Sequence, residues 1–193
     1  MFIDYKKIDD SINFYLKHGF ERIEAPWWVP ENILNITKPS DAPEENYYLK
    51  KNNKCLVASA EQSFLYMANQ GLLPKGKFQA TTPCFRDEIQ GEFKRKFFIK
   101  NELIITDDVN PEKLKEVISL CFDFFKTQVN HPELLKIIPI DDTFDIVYNN
   151  IELGSYGIRS THFVSWIFAT GCAEPRLSRA ISKTNFELSQ NKK

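Results

Sequence analysis

The sequence contains no apolar run that approaches the ~20 residues needed to cross a bilayer. Its N-terminal segment, MFIDYKKIDD, has neither the apolar core of a signal peptide nor a basic amphipathic pattern. We therefore expect a cytoplasmic protein without a membrane partner. The chain also has no large excess of one charge, because its 25 Lys and Arg nearly balance its 26 Asp and Glu. The net charge is −1. Any contact with nucleic acid would need a local basic patch rather than overall attraction.

Paired cysteines are missing as well. Cys55, Cys84, Cys121 and Cys172 are scattered, with no Cys-x-x-Cys pair and no nearby histidine. Zinc sites and disulfide frameworks normally show such pairing. Reduced, mostly buried thiols are the better interpretation, in keeping with a cytoplasmic protein. A zinc ligand at Cys55 or Cys172 stays open as the alternative.

Aromatic residues are plentiful by contrast, since Phe accounts for 16 of the 193 residues. Rings favour strands, so this content predicts a core built on a sheet. A chain of this length has room for one sizeable core and is short for two ordinary domains. We predict a single α+β domain over residues 1–193, with a mainly antiparallel sheet flanked by helices.

Periodicity and turn residues locate the elements along the chain. Predicted helices cover Tyr5–His18, Ala60–Gln70, Pro111 to about Val129, and a segment from about Pro175. Predicted strands cover Phe20–Ala25, Phe78–Phe85, Lys96–Ile105, Phe144–Val147, Ile151–Leu153 and Phe163–Phe168, the last followed by a Gly-containing turn. Three prolines predict that residues 29–46 form a surface excursion, and Lys51–Lys54 predicts a hairpin turn. The polar tail from about Lys183 is expected to fray.

The most informative segment is Thr82–Glu88 followed by Phe98–Glu102. It predicts a strand, a short charged hairpin and a second strand. Arg86 precedes Glu88 by two residues, and strand side chains alternate, so both should point to one face of the sheet. Arginine offers a fork of donors for a phosphate, and glutamate accepts from an amino group. The pair therefore indicates ATP chemistry without a glycine-rich loop.

This segment resembles motif 2 of class II aminoacyl-tRNA synthetases, in which Phe-Arg-x-Glu is followed by a loop, a basic residue, a Phe and an acid. The matching positions are Phe85, Arg86, Glu88, Lys94, Phe98 and Glu102. The resemblance implies that Arg86 binds the α-phosphate of ATP, that Glu88 accepts from the adenine amino group, and that Phe98 stacks on adenine. Lys94 or Arg95 would reach the outer phosphates.

Two further segments resemble the other motifs of this family, in the expected order. Gly171–Leu177, at a predicted strand-to-helix turn, is similar to motif 3 in the Gly-x-Ala-x-x-Arg form of seryl-tRNA synthetases. Arg176 would then cover the second face of adenine and reach the γ-phosphate. Gly19–Pro26 resembles motif 1, which implies a homodimer formed through residues 5–28.

Two smaller elements fit the same family. Ser59-Ala60-Glu61 resembles the Thr-x-Glu element of seryl- and prolyl-type enzymes, whose glutamate takes the α-ammonium of the amino acid. The implied amino-acid-binding residues are Ser59, Glu61, Glu102 and Gly171. Glu152 and Ser155 resemble the Glu-x-x-Ser element that holds magnesium between the phosphates, since Mg²⁺ prefers hard oxygen ligands.

The resemblance implies ATP- and Mg²⁺-dependent activation of an amino acid as an aminoacyl-adenylate, with Arg86 and Arg176 as catalytic residues. The acyl group would pass to tRNA, a carrier protein or another acceptor. This chain is shorter than the family's catalytic domain, and the hairpin between Glu88 and Lys94 is brief. Because of these two differences from the family, the sequence does not identify the molecule that accepts the acyl group. It does not identify the amino acid either.

Two alternatives remain. The segment Glu152–Arg159, ELGSYGIR, resembles asparagine synthetase A, an aspartate–ammonia ligase related to the same class II family. A non-catalytic paralogue acting as a binding or regulatory subunit would also keep the fold. The intact motif residues argue against that second alternative.

Overall fold

The computed structural model describes residues 2–39, 46–50 and 53–190. The helices in this part are α1 (Tyr5–Lys17), α2 (Glu31–Leu34), α3 (Ala60–Asn69), α4 (Pro111–Gln128) and α5 (Arg176–Gln190). The strands are β1 (Glu21–Arg22), β2 (Trp28–Pro30), β3 (Lys54–Leu56), β4 (Lys77–Phe85), β5 (Phe97–Ile105), β6 (Leu135–Ile140), β7 (Thr143–Tyr148), β8 (Ile151–Ser160) and β9 (Ser165–Glu174). None of these helices combines the length and apolar character needed to span a membrane.

Seven strands form one sheet in the order β1-β4-β5-β9-β8-β7-β6. Neighbouring strands are antiparallel, except that β1 runs parallel to β4. Strands β2 and β3 form a separate antiparallel pair. The predicted α+β fold with a mainly antiparallel sheet flanked by helices is therefore confirmed.

Apolar side chains cover both faces of the large sheet. Helices α1 and α4 contribute Ile8, Tyr15 and Phe125 to one buried cluster. Helix α3 and the β2–β3 pair build the other cluster, which contains Phe64 and Val29. Because the sheet is covered on both faces, its central strands hold side chains in fixed positions on either side.

Local signals set where helices begin and end. Asn110 caps α4 by accepting a hydrogen bond from the Lys113 N–H at 2.8 Å, and Pro111 occupies the first turn. Gly19 and Gly71 follow α1 and α3 with φ of +80° and +70°, a conformation that glycine adopts without a side-chain penalty. The three predicted helices at these positions are confirmed.

The prediction of a surface excursion over residues 29–46 is wrong for its first part. Val29 in β2 is fully buried, and Ile33 and Leu34 in α2 are each 3% exposed. Pro30 precedes α2 directly, where its fixed φ is compatible with a helix start. These apolar side chains pack against the cluster around α3. Part of the segment lies outside the described residues.

Strand β3 has a partner on each side. The Leu49 N–H bonds to the Lys54 carbonyl and the Leu56 N–H to the Tyr47 carbonyl, both at 2.8 Å. This pairing agrees with the predicted hairpin, although residues 51–52 of its turn lie outside the described residues. The opposite edge of β3 pairs with β2, a contact that the sequence did not predict.

Three predicted strands differ clearly in length from those observed, and one of them, Ile151–Leu153, is only the start of β8, which continues to Ser160. In Phe20–Ala25, regular strand geometry is confined to β1. Strand β9 continues through Gly171, so the predicted glycine turn after Phe168 is wrong. The physical reason is that β9 lies between β5 and β8, and pairing on both edges keeps it extended.

The prediction of a fraying tail from Lys183 is also wrong over the described residues, since α5 continues to Gln190. Leu177, Ala180 and Thr184 are buried at spacings of three and four residues. This spacing forms one helical stripe that packs against the sheet. The buried stripe therefore extends into the polar tail through Thr184.

Candidate active site

A cleft of about 810 Å³ opens on the side of the large sheet that carries α3. Side chains of β5, β8 and β9 form its floor. Its rim is the β4–β5 connection, residues 86–96, together with the start of α5. Because side chains alternate along β5, Phe98, Lys100 and Glu102 all line the cleft. Every predicted site residue except Gly171 lines it as well.

Arg86 and Glu88 lie just beyond the end of β4, rather than on one strand face as predicted. The Nε of Arg86 donates to the Ala58 carbonyl at 3.2 Å, which orients its guanidinium. Its Nη1 lies 3.6 Å from Glu88 Oε1, and its Cζ lies 5.0 Å from the centre of the Phe98 ring. A cationic fork, an acceptor and an aromatic face are thus held together.

The β4–β5 connection adds two cations to the rim. Lys94 is largely exposed, and its Nζ lies 4.0 Å from Glu88 Oε2. The Nε of Arg95 is buried and has no hydrogen-bond acceptor among the described residues. A buried donor without an acceptor is costly, so Arg95 is suited to an oxygen-rich ligand such as a phosphate.

The connection is held against α5. The backbone carbonyl of Glu92 accepts a hydrogen bond from Arg179, and the Glu92 carboxylate forms an ion pair with Lys183 at 2.8 Å. The Lys183 ammonium also lies 5.2 Å from the centre of the Phe93 ring. These contacts fix the rim of the cleft relative to α5.

Arg176 and Glu152 form a second charged pair on the wall of the cleft. Arg176 Nη1 donates to Glu152 Oε1 at 2.8 Å. Arg176 is the first residue of α5 and Glu152 lies near the start of β8, so the pair joins the helix to the sheet. The Glu152 side chain is 47% exposed and remains accessible to a ligand.

Asp145 on β7 is a carboxylate that the sequence motifs did not single out. It stands opposite Ser155 in the register of β7 and β8. Burial raises the pKa of Asp145 and the charge of Glu152 raises it further, while a hydrogen bond with Ser155 lowers it. The charge of Arg176, which is paired with Glu152, also lowers the pKa of Asp145, so the two carboxylates lie beside one cation of the protein.

These residues fit Mg²⁺. The ion takes hard oxygen ligands, and in nucleotide sites it uses one or two carboxylates together with phosphates and water. Among the described residues, no cluster of three or more His, Cys, Asp or Glu offers an all-protein metal site. Cys55 and Cys172, the residues considered for zinc, are both fully buried.

Glu61 lies at the inner end of the cleft, in the first turn of α3. Its Oε1 and Oε2 accept hydrogen bonds from Nη1 of Arg159 at 3.0 and 2.9 Å. Its Oε1 also accepts from the indole N–H of Trp166 at 2.7 Å. Burial raises the pKa of Glu61, and the charge of Arg159 opposes that shift.

Glu102 lies next to Glu61 and is also almost completely buried. Its two oxygens accept from the hydroxyl of Ser59 at 2.7 and 2.6 Å, and its Oε1 accepts from Lys100 Nζ at 2.7 Å. Burial raises the pKa of Glu102, but Lys100 and Ser59 more than offset this, so the pKa lies below its ordinary value. Glu102 is therefore an ionised carboxylate inside the protein.

Gly171 lies away from the cleft, so its predicted place among the amino-acid-binding residues is corrected. A Cβ at this position would lie 2.9 Å from the Tyr15 ring and 3.0 Å from the Asn101 carbonyl oxygen. The Tyr15 hydroxyl donates to the Gly171 carbonyl at 3.2 Å. The missing side chain allows α1 to pack closely on β9.

Sequence reasoning missed two cleft-lining residues, Lys100 and Arg159, and the buried Trp166 that donates to Glu61. Lys100 follows the same alternation as Phe98 and Glu102, so its position was readable from the strand pattern. Arg159 entered the sequence analysis only as the last residue of the ELGSYGIR segment. Trp166 carries no local signal, because its partner Glu61 is 105 positions away.

Comparisons with known proteins support the fold and nothing finer. No family model and no curated protein sequence matches the chain. Among solved structures, pyrrolysyl-tRNA synthetase from Desulfitobacterium hafniense matches with a TM-score of 0.68 and 15% identity, over 94% of this chain and 69% of that one. A second structure of a pyrrolysyl-tRNA synthetase from that organism, PylSc, matches with a TM-score of 0.69 and 15% identity, over 90% of this chain and 67% of that one.

Seryl-tRNA synthetase from Pyrococcus horikoshii, solved as a complex with ATP, matches with a TM-score of 0.67 and 16% identity. The match covers 90% of this chain and 49% of that one, so this chain spans about half the length of the seryl enzyme. At these identities the likeness establishes a class II synthetase-like fold. Activity, substrate and partners of this chain have to be argued from its own residues.

Proposed function

We propose that this protein uses ATP to activate an amino acid, forming an aminoacyl-adenylate and pyrophosphate. The observation that carries the proposal is the cluster of Arg86, Glu88 and Phe98 in the cleft. Cation, acceptor and ring can together recognise the phosphates, the exocyclic amine and the flat face of adenine in ATP. The shared fold with an ATP-bound synthetase supports the same ligand.

The motif residues that line the cleft then each have a role toward ATP. Arg86 binds the α-phosphate, Glu88 accepts from the adenine amino group, and Phe98 stacks on the base. Arg176 covers the other face of adenine and reaches the γ-phosphate, which requires its present ion pair with Glu152 to loosen. Lys94 and Arg95 face the outer phosphates, and the unpaired Nε of Arg95 supports this role.

The reaction needs no nucleophilic side chain. A carboxylate oxygen of the amino acid attacks the α-phosphorus, the bond from that phosphorus to the bridging oxygen breaks, and pyrophosphate leaves with its electron pair. No proton is transferred in this step. Charge accumulates on the α-phosphate oxygens, and the planar guanidinium of Arg86 stabilises it. Catalysis is therefore positioning together with charge stabilisation.

Glu152 and Ser155 would hold Mg²⁺, joined by Asp145. When bound, the ion neutralises charge on the phosphates that become pyrophosphate. The position of Asp145 opposite Ser155 in the register of β7 and β8 supports this grouping. Ser59, Glu61 and Glu102 border the space next to Arg86 that the amino acid would occupy.

The activated acyl group would pass to tRNA or to another acceptor, and the protein would act in the cytoplasm. We also propose a homodimer through residues 5–28. In its favour, this segment exposes the large apolar side chains of Tyr5, Leu16 and Trp27. Sedimentation or mass photometry tests the dimer directly.

Exchange of labelled pyrophosphate into ATP, measured over the twenty amino acids, tests the activation step. We expect Mg²⁺-dependent exchange with one amino acid or with a small group of similar ones. Absence of exchange together with absence of ATP binding would refute the proposal. Adding ammonia to an aspartate assay and measuring asparagine distinguishes the aspartate–ammonia ligase alternative from transfer to tRNA.

A further inference from the structure

A buried carboxylate at the edge of the cleft has no role in the proposed activation step. Glu174 is the last residue of β9, and α5 begins two residues later at Arg176. The Glu174 side chain lies among the groups that line the cleft, yet the residue is 0% exposed. In the sheet it stands opposite Ile99 on β5. The paired strands therefore fix the position of this carboxylate.

Both oxygens of Glu174 accept hydrogen bonds from neutral groups of other segments. Its Oε1 accepts from the Ser178 N–H at 3.0 Å and from the Ser178 hydroxyl at 2.9 Å. Its Oε2 accepts from the N–H of Asp4, just before α1, at 3.2 Å. Burial raises the pKa of Glu174, and these hydrogen bonds only partly oppose that shift. Burying a carboxylate among neutral donors costs free energy that an exposed capping residue would not.

The bonds to Ser178 cap the first turn of α5. Pro175 precedes the helix directly, and its carbonyl accepts from the Arg179 N–H at 3.0 Å, so it occupies the position of a capping residue. A proline side chain has no acceptor and cannot satisfy the free N–H groups of that turn. Glu174 supplies the acceptor from one residue further back. The helix is thereby tied to the end of β9.

The same turn carries two arginines that line the cleft. Arg176 begins α5, and its Nη1 donates to Glu152 at 2.8 Å. Arg179 donates to the backbone carbonyl of Glu92 in the β4–β5 connection. A rotation or shift of the first turn would therefore move Arg176 and the rim of the cleft together. A displacement of about 1 Å can lower a reaction rate on the order of a hundredfold.

We propose that Glu174 is a positioning residue for Arg176. Its carboxylate joins the end of β9, the first turn of α5 and the segment before α1, and so holds the Arg176 guanidinium where it meets ATP. Glu174 acts through the helix and does not contact ATP itself. The inference rests on the proposed function, because it concerns the role of Arg176 toward ATP. It also makes the backbone N–H of Asp4 part of the support for the site.

Two substitutions of Glu174 are compared in the pyrophosphate-exchange assay. Glu174→Ala loses all three hydrogen bonds, and we expect its kcat/KM for ATP to fall on the order of ten- to a hundredfold. The KM of the amino acid that supports exchange should stay within about twofold, because Arg176 binds ATP. In Glu174→Gln the amide oxygen can still accept from Ser178, so most of the activity should remain. The affinity for ATP, measured by calorimetry, should weaken in parallel.

A double-mutant cycle distinguishes positioning from a merely structural role. When Glu174→Ala is added to Arg176→Ala, we expect a further loss of exchange of no more than about twofold, because the residue that Glu174 positions is already gone. Independent effects would multiply instead. Ile181→Ala is the matched control, since it removes an apolar contact of α5 with the buried cluster and leaves the bonds of Glu174 intact. It should lower the stability of the fold but keep kcat/KM for ATP within about twofold.

The contrary results are equally specific. Wild-type kcat/KM for ATP in folded Glu174→Ala, or losses that multiply in the double variant, would overturn the positioning role. If Glu174→Ala does not fold, Ser178→Ala, which removes the hydroxyl bond alone, takes its place in the cycle. If the wild type binds ATP without exchange, the proposed activation fails, and unchanged ATP affinity in Glu174→Ala would overturn the positioning role as well. Absence of both exchange and ATP binding in the wild type overturns the two proposals together.

Discussion

Arg159 on β8 and Glu61 on α3 form an ion pair at the floor of the cleft, with Arg159 Nη1 2.9 Å from Glu61 Oε2. The two residues are 98 positions apart in the chain. Their contact ties the first turn of α3 to the sheet directly beneath the candidate site. Glu61 is 5% exposed, so its ionised form depends on this partner and on Trp166.

Removing the cation should destabilise the fold. In Arg159→Leu, the Glu61 carboxylate stays buried with one strong donor fewer, and we expect the free energy of unfolding to fall by roughly 1–3 kcal/mol at pH 7. Urea denaturation measures this free energy of unfolding. Arg159→Lys, which keeps the positive charge, should lose less of it. Since Arg159 lowers the pKa of Glu61, its removal raises that pKa further. The deficit should therefore shrink at acidic pH, and an unchanged stability at pH 7 would contradict the role of the pair.

Glu102 should also make the free energy of unfolding depend on pH, through its own lowered pKa. Its folded pKa lies below the ordinary value, because Lys100 and Ser59 outweigh burial. The unfolded chain then binds a proton at higher pH than the folded one, so this contribution is present above the ordinary carboxyl pKa and is lost as pH falls. We expect Glu102→Gln to be less stable than wild type by roughly 1–3 kcal/mol at pH 7, with the gap closing toward acidic pH.

Urea curves at several pH values check this difference. Glu21→Gln, at an exposed position of β1, is the matched control and should show no such gap. If the difference in free energy of unfolding between wild type and Glu102→Gln stays constant with pH, the shape of the side chain rather than its charge causes the difference.

The two arginines of the rim should be essential for activation. We expect Arg86→Ala and Arg176→Ala each to reduce exchange by on the order of 100- to 1000-fold, because each removes charge stabilisation at the phosphates. Both side chains are partly exposed, so folding should persist. Pyrophosphate exchange and the near-UV spectrum are measured side by side, with Lys115→Ala as control. Wild-type exchange in either variant would show that the residue is misassigned.

Asp145 should affect the requirement for magnesium. Asp145→Asn removes the carboxylate that stands opposite Ser155, and we expect the Mg²⁺ concentration for half-maximal exchange to rise on the order of tenfold. Titration of exchange against Mg²⁺ provides the measurement. Asp142→Asn, in the exposed turn before β7, should titrate like wild type. A Mg²⁺ curve unaffected by Asp145→Asn would remove Asp145 from the metal site.

Several errors of sequence reasoning share one cause. Gly171 was placed in a turn by its residue type, but the pairing of β9 on both edges keeps it in a strand facing α1. The tail from Lys183 was judged by its polarity, although its Thr184 continues the buried stripe of α5 that Leu177 and Ala180 begin. Residue type predicts an average environment, and tertiary contacts override it at individual positions.

The sequence by itself determined the class of fold, most of the helices and the β4–β5 hairpin that carries Arg86, Glu88 and Phe98. Caps, helical periodicity and strand alternation act between residues close in the chain, so they can be read without a structure. Only the tertiary structure decided that Glu61 and Glu102 are already paired with Arg159 and Lys100. The Glu61–Arg159 contact and the hydrogen bond from Ser59 to Glu102 depend on how α3 packs on the sheet, and that packing joins residues far apart in the chain.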